Sequence, residues 1–130
     1  LCCSALRGSE LAQTDELGFE DLHGQKLMLI EQGWNESTDK LRALIEAEHP
    51  AIEIIDFPMF NASVYNQCAN EDLVMATYGF WNDVHPMLKT VATNWGLSAT
   101  YGLIYSPNAD EHTLELIEAL KEEVDAPSAA

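Results

Sequence analysis

The stretch from Ile52 to Phe80, IEIIDFPMFNASVYNQCANEDLVMATYGF, constrains the fold more than any other part of the chain. Ile52, Ile54 and Phe57 alternate as in a strand, and Leu73–Tyr78 is a second apolar run. Between them Asn61 or Ser63 can open a helix, with Val64, Cys68 and Ala69 on one face. Two strands joined by a helix are the smallest unit of a parallel sheet, and such a sheet has to be covered on its faces. The helix then starts at the carboxyl end of the first strand, where open α/β sheets bind ligands.

The remaining segments extend this unit. Leu1–Leu6 is a short apolar run that fits a strand, and Arg7–Glu20, broken by Gly8 and Gly18, reads as loop. Phe19–His23 fits one turn before Gly24, and Lys26–Glu31 fits a buried strand closed by Gly33. Asn35–His49 has the clearest helical pattern, with Leu41, Leu44 and Ile45 on one face, Asn35 or Ser37 as cap, and Pro50 as stop. Gly79–Gly96 is less regular: Trp81–Val84 fits a turn before Pro86, and Met87–Trp95 has weak periodicity. Ser98–Tyr105 reads as another strand. A final helix is expected over Asn108–Val124, with Asn108 and Glu111 placed as a capping box and the tail APSAA frayed. The order of elements is that of an α/β domain.

Six Lys and Arg against 22 Asp and Glu give a net charge of −16. Gripping a phosphate backbone takes clustered cations, so no nucleic-acid contact by this segment is expected, and an anionic membrane surface would repel it. No apolar run reaches the roughly 18 residues of a membrane helix, and no signal peptide is recognisable at the start. The odd set Cys2, Cys3 and Cys68 gives neither a disulfide framework nor a metal spacing and fits reduced, cytoplasmic thiols. His23, His49, His85 and His112 are scattered without i, i+4 pairing, so no metal site is expected. The chain carries no P-loop and no dinucleotide fingerprint, so neither a cofactor nor catalysis is expected.

In order and spacing, four segments are similar to parts of one known domain. CCSALRGSELAQ at Cys2–Gln13 looks like a strand and "R-x-x-P-L-A" turn, and LGFEDLHGQKLMLI at Leu17–Ile30 is similar to "L-x-x-E-D-L-x-G-x-x-L-I". DKLRALIEAEHP at Asp39–Pro50, with the strand Ile52–Phe57, looks like an "L-R … P-x-I" helix and strand. Tyr101–Tyr105 with the helix after it looks like a closing "Y-G-L-I-Y" strand and last helix. Together they resemble the effector-binding domain of LysR-type transcriptional regulators. Ser9-Glu10 stands where that family usually has His-Pro, and Asn70-Glu71-Asp72 where a glycine-rich turn is usual.

The resemblance implies an α/β, periplasmic-binding-protein-like (type 2) lobe with a mixed, mostly parallel sheet flanked by helices. Residues 1–10 would be an incoming hinge strand, 11–97 the second lobe, 98–107 the returning hinge strand, and 108–130 the terminal helix and tail. A small, polar or anionic effector would bind in an interlobe cleft, modulating DNA binding by a separate helix-turn-helix, and pairing into a homo-oligomer is expected. The helix start after the central strand lines the effector pocket in that family, which points to Phe60, Asn61 and Ser63. Trp34 and Asn35 are candidates at the other helix start, and Tyr78 and Trp81, with Phe80, at an apolar wall. Capping alone also accounts for Asn61, Ser63 and Asn35, and core packing for the aromatics. A lobe of a solute-binding transport protein, or a small flavodoxin-like enzyme, would share the same element pattern.

Overall fold

The computed structural model describes residues 1–82 and 84–125 and divides them between two units, Leu1–Ala99 and a second beginning at Thr100. The first unit is an α/β layer structure. Its strands are β1 (Cys2–Leu6), β2 (Glu16–Leu17), β3 (Lys26–Ile30), β4 (Glu53–Phe57), β5 (Val74–Thr77) and β6 (Leu88–Thr93). They form one mixed sheet in the order β2-β6-β1-β5-β3-β4. β1 runs antiparallel to β5 and β6, whereas β3 is parallel to β4 and β5, and β2 is parallel to β6.

Helix α1 (Glu36–Glu48) links β3 to β4, and α2 (Ala62–Asn70) links β4 to β5. The first crossover moves from β3 outward to β4, and the second returns past β3 to β5. Two right-handed crossovers in opposite directions put their helices on opposite faces of the sheet. The side chains agree with this. Leu27, Leu29, Val74 and Ala76 pack with Leu41 and Ile45 of α1, while Met28, Ile30 and Met75 pack with Val64, Tyr65 and Cys68 of α2. Alternate residues of one strand therefore serve two cores, as a period-2 strand buried on both sides requires. Val64 and Cys68 are buried as the sequence indicates, with Ala69 partly so.

Three expectations change. The loop over Arg7–Glu20 contains β2 and a 3₁₀ turn at Leu11–Gln13, and Ala12 and Leu17 are fully buried there. Met87–Trp95, which looks irregular in sequence, contains β6, pairing with β1 from Leu88 to Ala92 and with β2 at its end. Ser98–Tyr105 is no strand: it has no ladder partner among the described residues, and Tyr101, Leu103, Ile104 and Tyr105 are exposed. The turn Asn70–Asp72 closes without glycine, with Asp72 in the left-handed region at φ 51°; a short polar side chain tolerates that region better than most.

In the second unit, α3 (Glu111–Asp125) starts three residues later than its sequence signal. Asp110, not Asn108, caps it, its Oδ1 accepting from the Thr113 amide at 2.8 Å. Hydrogen bonding from the Thr113 side chain, and then from its amide, holds the Asp110 carboxyl below its ordinary pKa. Leu114, Leu116, Leu120 and Val124 of α3 are exposed and Ile117 is buried. The expected fraying of Ala126–Ala130 falls outside the described residues. No described helix is long and apolar enough to cross a membrane.

Candidate functional site

The parallel strands β3, β4 and β5 end side by side at Ile30, Phe57 and Thr77. Just beyond these ends the chain turns into α1, into α2, and into a 3₁₀ turn over Gly79–Trp81. β3 and β5 are the neighbours whose following connections diverge, so the crevice beyond them is the switch point at which open α/β sheets bind ligands.

Local sequence sets each turn. After β4, Pro58 has no amide to continue a ladder. Asn61 then adopts extended backbone, and its Oδ1 accepts from the Val64 amide at 3.1 Å, capping α2. Phe60, just before the cap, packs against Tyr65 in the first turn with ring centroids 6.3 Å apart, the arrangement of a hydrophobic staple. After β3, Gly33 turns the chain at φ +96°. Its amide donates to both carboxylate oxygens of Asp39, at 3.0 and 3.2 Å. Asn35 caps α1 by accepting from the Thr38 amide at 3.0 Å.

One capping side chain also reaches across the crevice. Asn35 Nδ2 donates to the Tyr78 hydroxyl at 2.6 Å, tying the end of β3 to the end of β5. Burial pushes the Tyr78 phenol's pKa up, partly offset by that bond, so it stays neutral and keeps its own hydrogen to donate. Around it stands an aromatic wall. Tyr78 stacks on Phe80 at 5.3 Å, and Trp81 meets Tyr78 at 5.2 Å and Phe60 at 4.8 Å, both edge to face. Phe57 supports Phe60 from the core at 4.9 Å.

A pocket of about 360 Å³ opens between the start of α2 and the segment after β5. Phe60, Asn61 and Trp81 line it, with Ala62, Tyr65, Asn66, Val84 and His85 completing the wall. Asn35 and Tyr78 stand behind this lining, joined to it through the Tyr78–Trp81 contact. Trp34 is exposed and donates from Nε1 to the Pro58 carbonyl at 3.0 Å, bridging the two helix-entry loops outside the pocket. Ser63, on the first turn of α2, is also exposed and outside the lining.

Sequence reading missed Tyr65, Asn66 and His85. His85 Nδ1 accepts from the Met87 amide at 3.2 Å, which leaves Nε2 to donate to Asn66 Oδ1 at 3.1 Å. These two bonds fit the tautomer that carries its proton on Nε2. The only signal in the sequence was the Pro86 turn, which aims His85 back at α2. Tyr65 is buried, and its hydroxyl has no hydrogen-bond partner among the described residues. Burial raises its pKa, and the nearby Thr77 hydroxyl opposes that rise.

The arrangement is suited to holding a small molecule. It presents the amide ends of α2's first turn, an asparagine side chain and flat aromatic surface, the features that orient a polar or anionic head beside an apolar body. Cys68 is fully buried, its Sγ donates to the Leu73 carbonyl at 3.3 Å, and burial pushes its thiol up to about 12. Cys3 is raised for the same reason. No protein-family model matches the chain, and a search of the curated proteins finds no match.

Proposed function

We propose that this chain is a ligand-sensing lobe of the LysR-type regulator kind, with a periplasmic-binding-protein-like (type 2) fold. It binds a small polar or anionic effector where α2 begins. The observation that carries this reading is a pocket of about 360 Å³ beyond the strand ends, lined by the asparagine-capped start of α2 and by Phe60 and Trp81 of the aromatic wall. The mixed sheet with helices on both faces fits the layout the family resemblance implies; of the candidate residues, Phe60, Asn61 and Trp81 line the pocket, whereas Trp34, Asn35, Ser63 and Tyr78 do not.

The mechanism is a shift of populations. The effector's charged or polar end takes the unpaired amides of α2's first turn, and its apolar part lies on Phe60 and Trp81. An effector that makes these contacts better in one arrangement of lobes or subunits favours that arrangement by its difference in affinity. A DNA reader elsewhere in such a regulator would respond to the arrangement, and a second copy of the chain is the natural partner. The chain itself performs no chemical step and needs no cofactor in this account.

A thermal-shift screen of small aliphatic and aromatic carboxylates, followed by calorimetry, tests the proposal. The expected result is at least one compound whose affinity falls by roughly tenfold or more in both Asn61→Ala and Trp81→Ala, about 1.4 kcal/mol or more. Hits whose affinity ignores both substitutions, or a screen without hits, would contradict it.

A further inference from the structure

Away from the pocket, the fold brings together three side chains that the sequence keeps well apart. Glu20 opens a 3₁₀ turn over Glu20–Leu22, and His23 closes it. His49 is the residue that ends α1. Backbone hydrogen bonds lock the two segments: the Gly24 amide donates to the Ala51 carbonyl at 2.8 Å and the Glu53 amide to the Gln25 carbonyl at 3.1 Å. Leu22, between Glu20 and His23, is fully buried and anchors the turn in the core. The absence of i, i+4 histidine pairing predicted no metal site, but tertiary structure supplies a pair that no helical spacing encodes.

His23 Nε2 lies 3.1 Å from His49 Nδ1, and His23 Nδ1 lies 3.3 Å from Glu20 Oε2. One ligand atom from each of the three residues can be chosen so that all lie within 4.8 Å of one another. Two imidazole nitrogens bound to one tetrahedral zinc ion at 2.0–2.1 Å stand about 3.3 Å apart. The observed separation is within a small swivel of that value. The His49 ring is held from outside: Phe19 stacks on it at 4.3 Å and 13°, and Trp95 stacks on Phe19 at 5.6 Å and 20°. Held rings of this kind are what distinguish a formed site from residues that merely meet.

We propose that Glu20, His23 and His49 bind a divalent transition-metal ion of the zinc class. His23 Nε2 and His49 Nδ1 are two ligands, the Glu20 carboxylate is the third once its exposed side chain swings from His23 Nδ1 toward the ion, and water takes the remaining position. The Glu20 side chain is 83% exposed and that of His23 36%, so an ion has an open approach and the water has room. Two imidazoles and one carboxylate suit zinc, cobalt or nickel, and disfavour calcium and magnesium, which prefer all-oxygen shells. His23 and His49 precede β3 and β4, whereas the effector pocket lies beyond the carboxyl ends of those strands. Roughly 16 Å of strand separates the two places at ~3.3 Å per residue. The metal proposal therefore stands whether or not the pocket binds an effector. Its consequence is a clamp between the Glu20–His23 turn and the end of α1.

The test uses untagged, chelator-stripped protein titrated with zinc against a competing chelator. One ion per chain is expected, with affinity lowered at least tenfold in His23→Gln and in His49→Gln, and lowered by a smaller factor in Glu20→Gln. His49→Gln also removes a stacked ring, so His23→Gln, with circular dichroism matching the wild type, carries the decision. Cobalt in place of zinc should give a visible spectrum of nitrogen and oxygen ligation. A thiolate charge-transfer band, zinc affinity unchanged in His23→Gln, displacement by equal calcium, or no binding at all would each overturn the proposal.

Discussion

Asn61 has two uses, and substitutions can separate them. As the cap of α2 it satisfies the Val64 amide, and as part of the pocket wall it faces the proposed effector. Asn61→Ala should cost about 1 kcal/mol in urea unfolding through loss of the cap. Asn61→Asp keeps an accepting oxygen, so stability should stay near wild type. Yet it sets a carboxylate against an anion, and binding of a carboxylate effector should still weaken. A variant that loses stability and keeps affinity would reduce Asn61 to a cap alone.

The cysteines make a second prediction at this scale. Cys2 is partly exposed, whereas Cys3 and Cys68 are fully buried with thiols pushed up by desolvation. Ellman's reagent at pH 8 should therefore find one fast thiol in the native protein and three after denaturation. Three fast thiols in the folded state would contradict the packing. The same burial gives a pH dependence. Cys68 ionises near 9 when unfolded and near 12 when folded. The unfolded chain thus loses its proton first, and stability is full below pH 9 and falls as pH climbs toward 12. A urea midpoint that stayed flat across that window would count against it.

At the scale of elements, β3 carries the unit. It pairs with β4 and β5, and its Leu27 and Leu29 face the α1 core while Met28 and Ile30 face the α2 core. Leu29→Ala should cost about 2–5 kcal/mol, because a fully buried leucine in a two-sided layer leaves a cavity that cannot easily collapse. A loss under about 1 kcal/mol by urea denaturation would mean that the layer is loosely packed.

The unit β3-α1-β4-α2-β5 was legible because its signals are local: apolar runs, Asn35 and Asn61 as caps, Pro50 as stop. β6 was not legible. Leu88 and Val91, its buried residues, stand three apart and imitate a helical face, and the pairing that makes them a strand comes from β1, far away in sequence. Ser98–Tyr105 failed in the opposite direction. It has the composition of a strand, but a strand needs an edge to pair with, and composition cannot report one. The pocket was half legible for the same reason. Phe60, Asn61 and Trp81 follow strand ends that sequence can place, whereas Tyr65, Asn66 and His85 join through packing between α2 and the Pro86 turn. Glu20, His23 and His49 meet through tertiary structure alone.

For the whole molecule, the −16 net charge and the crevice make one argument. A strongly acidic surface repels anions at long range, so an anionic effector has to be held by short-range contacts: amides of a helix start, an asparagine and aromatic faces. Affinity for such an effector should then depend on geometry at the start of α2 more than on ionic strength. The most direct measurement is a ¹⁵N-correlated NMR titration with a carboxylate selected by thermal shift. The chain has three indole N–H reporters, at Trp34, Trp81 and Trp95. The account predicts saturable shifts at the Trp81 indole and at the amides of Asn61 through Val64, with the Trp95 indole unmoved. Shifts centred elsewhere, with Trp81 and Asn61 silent, would contradict it.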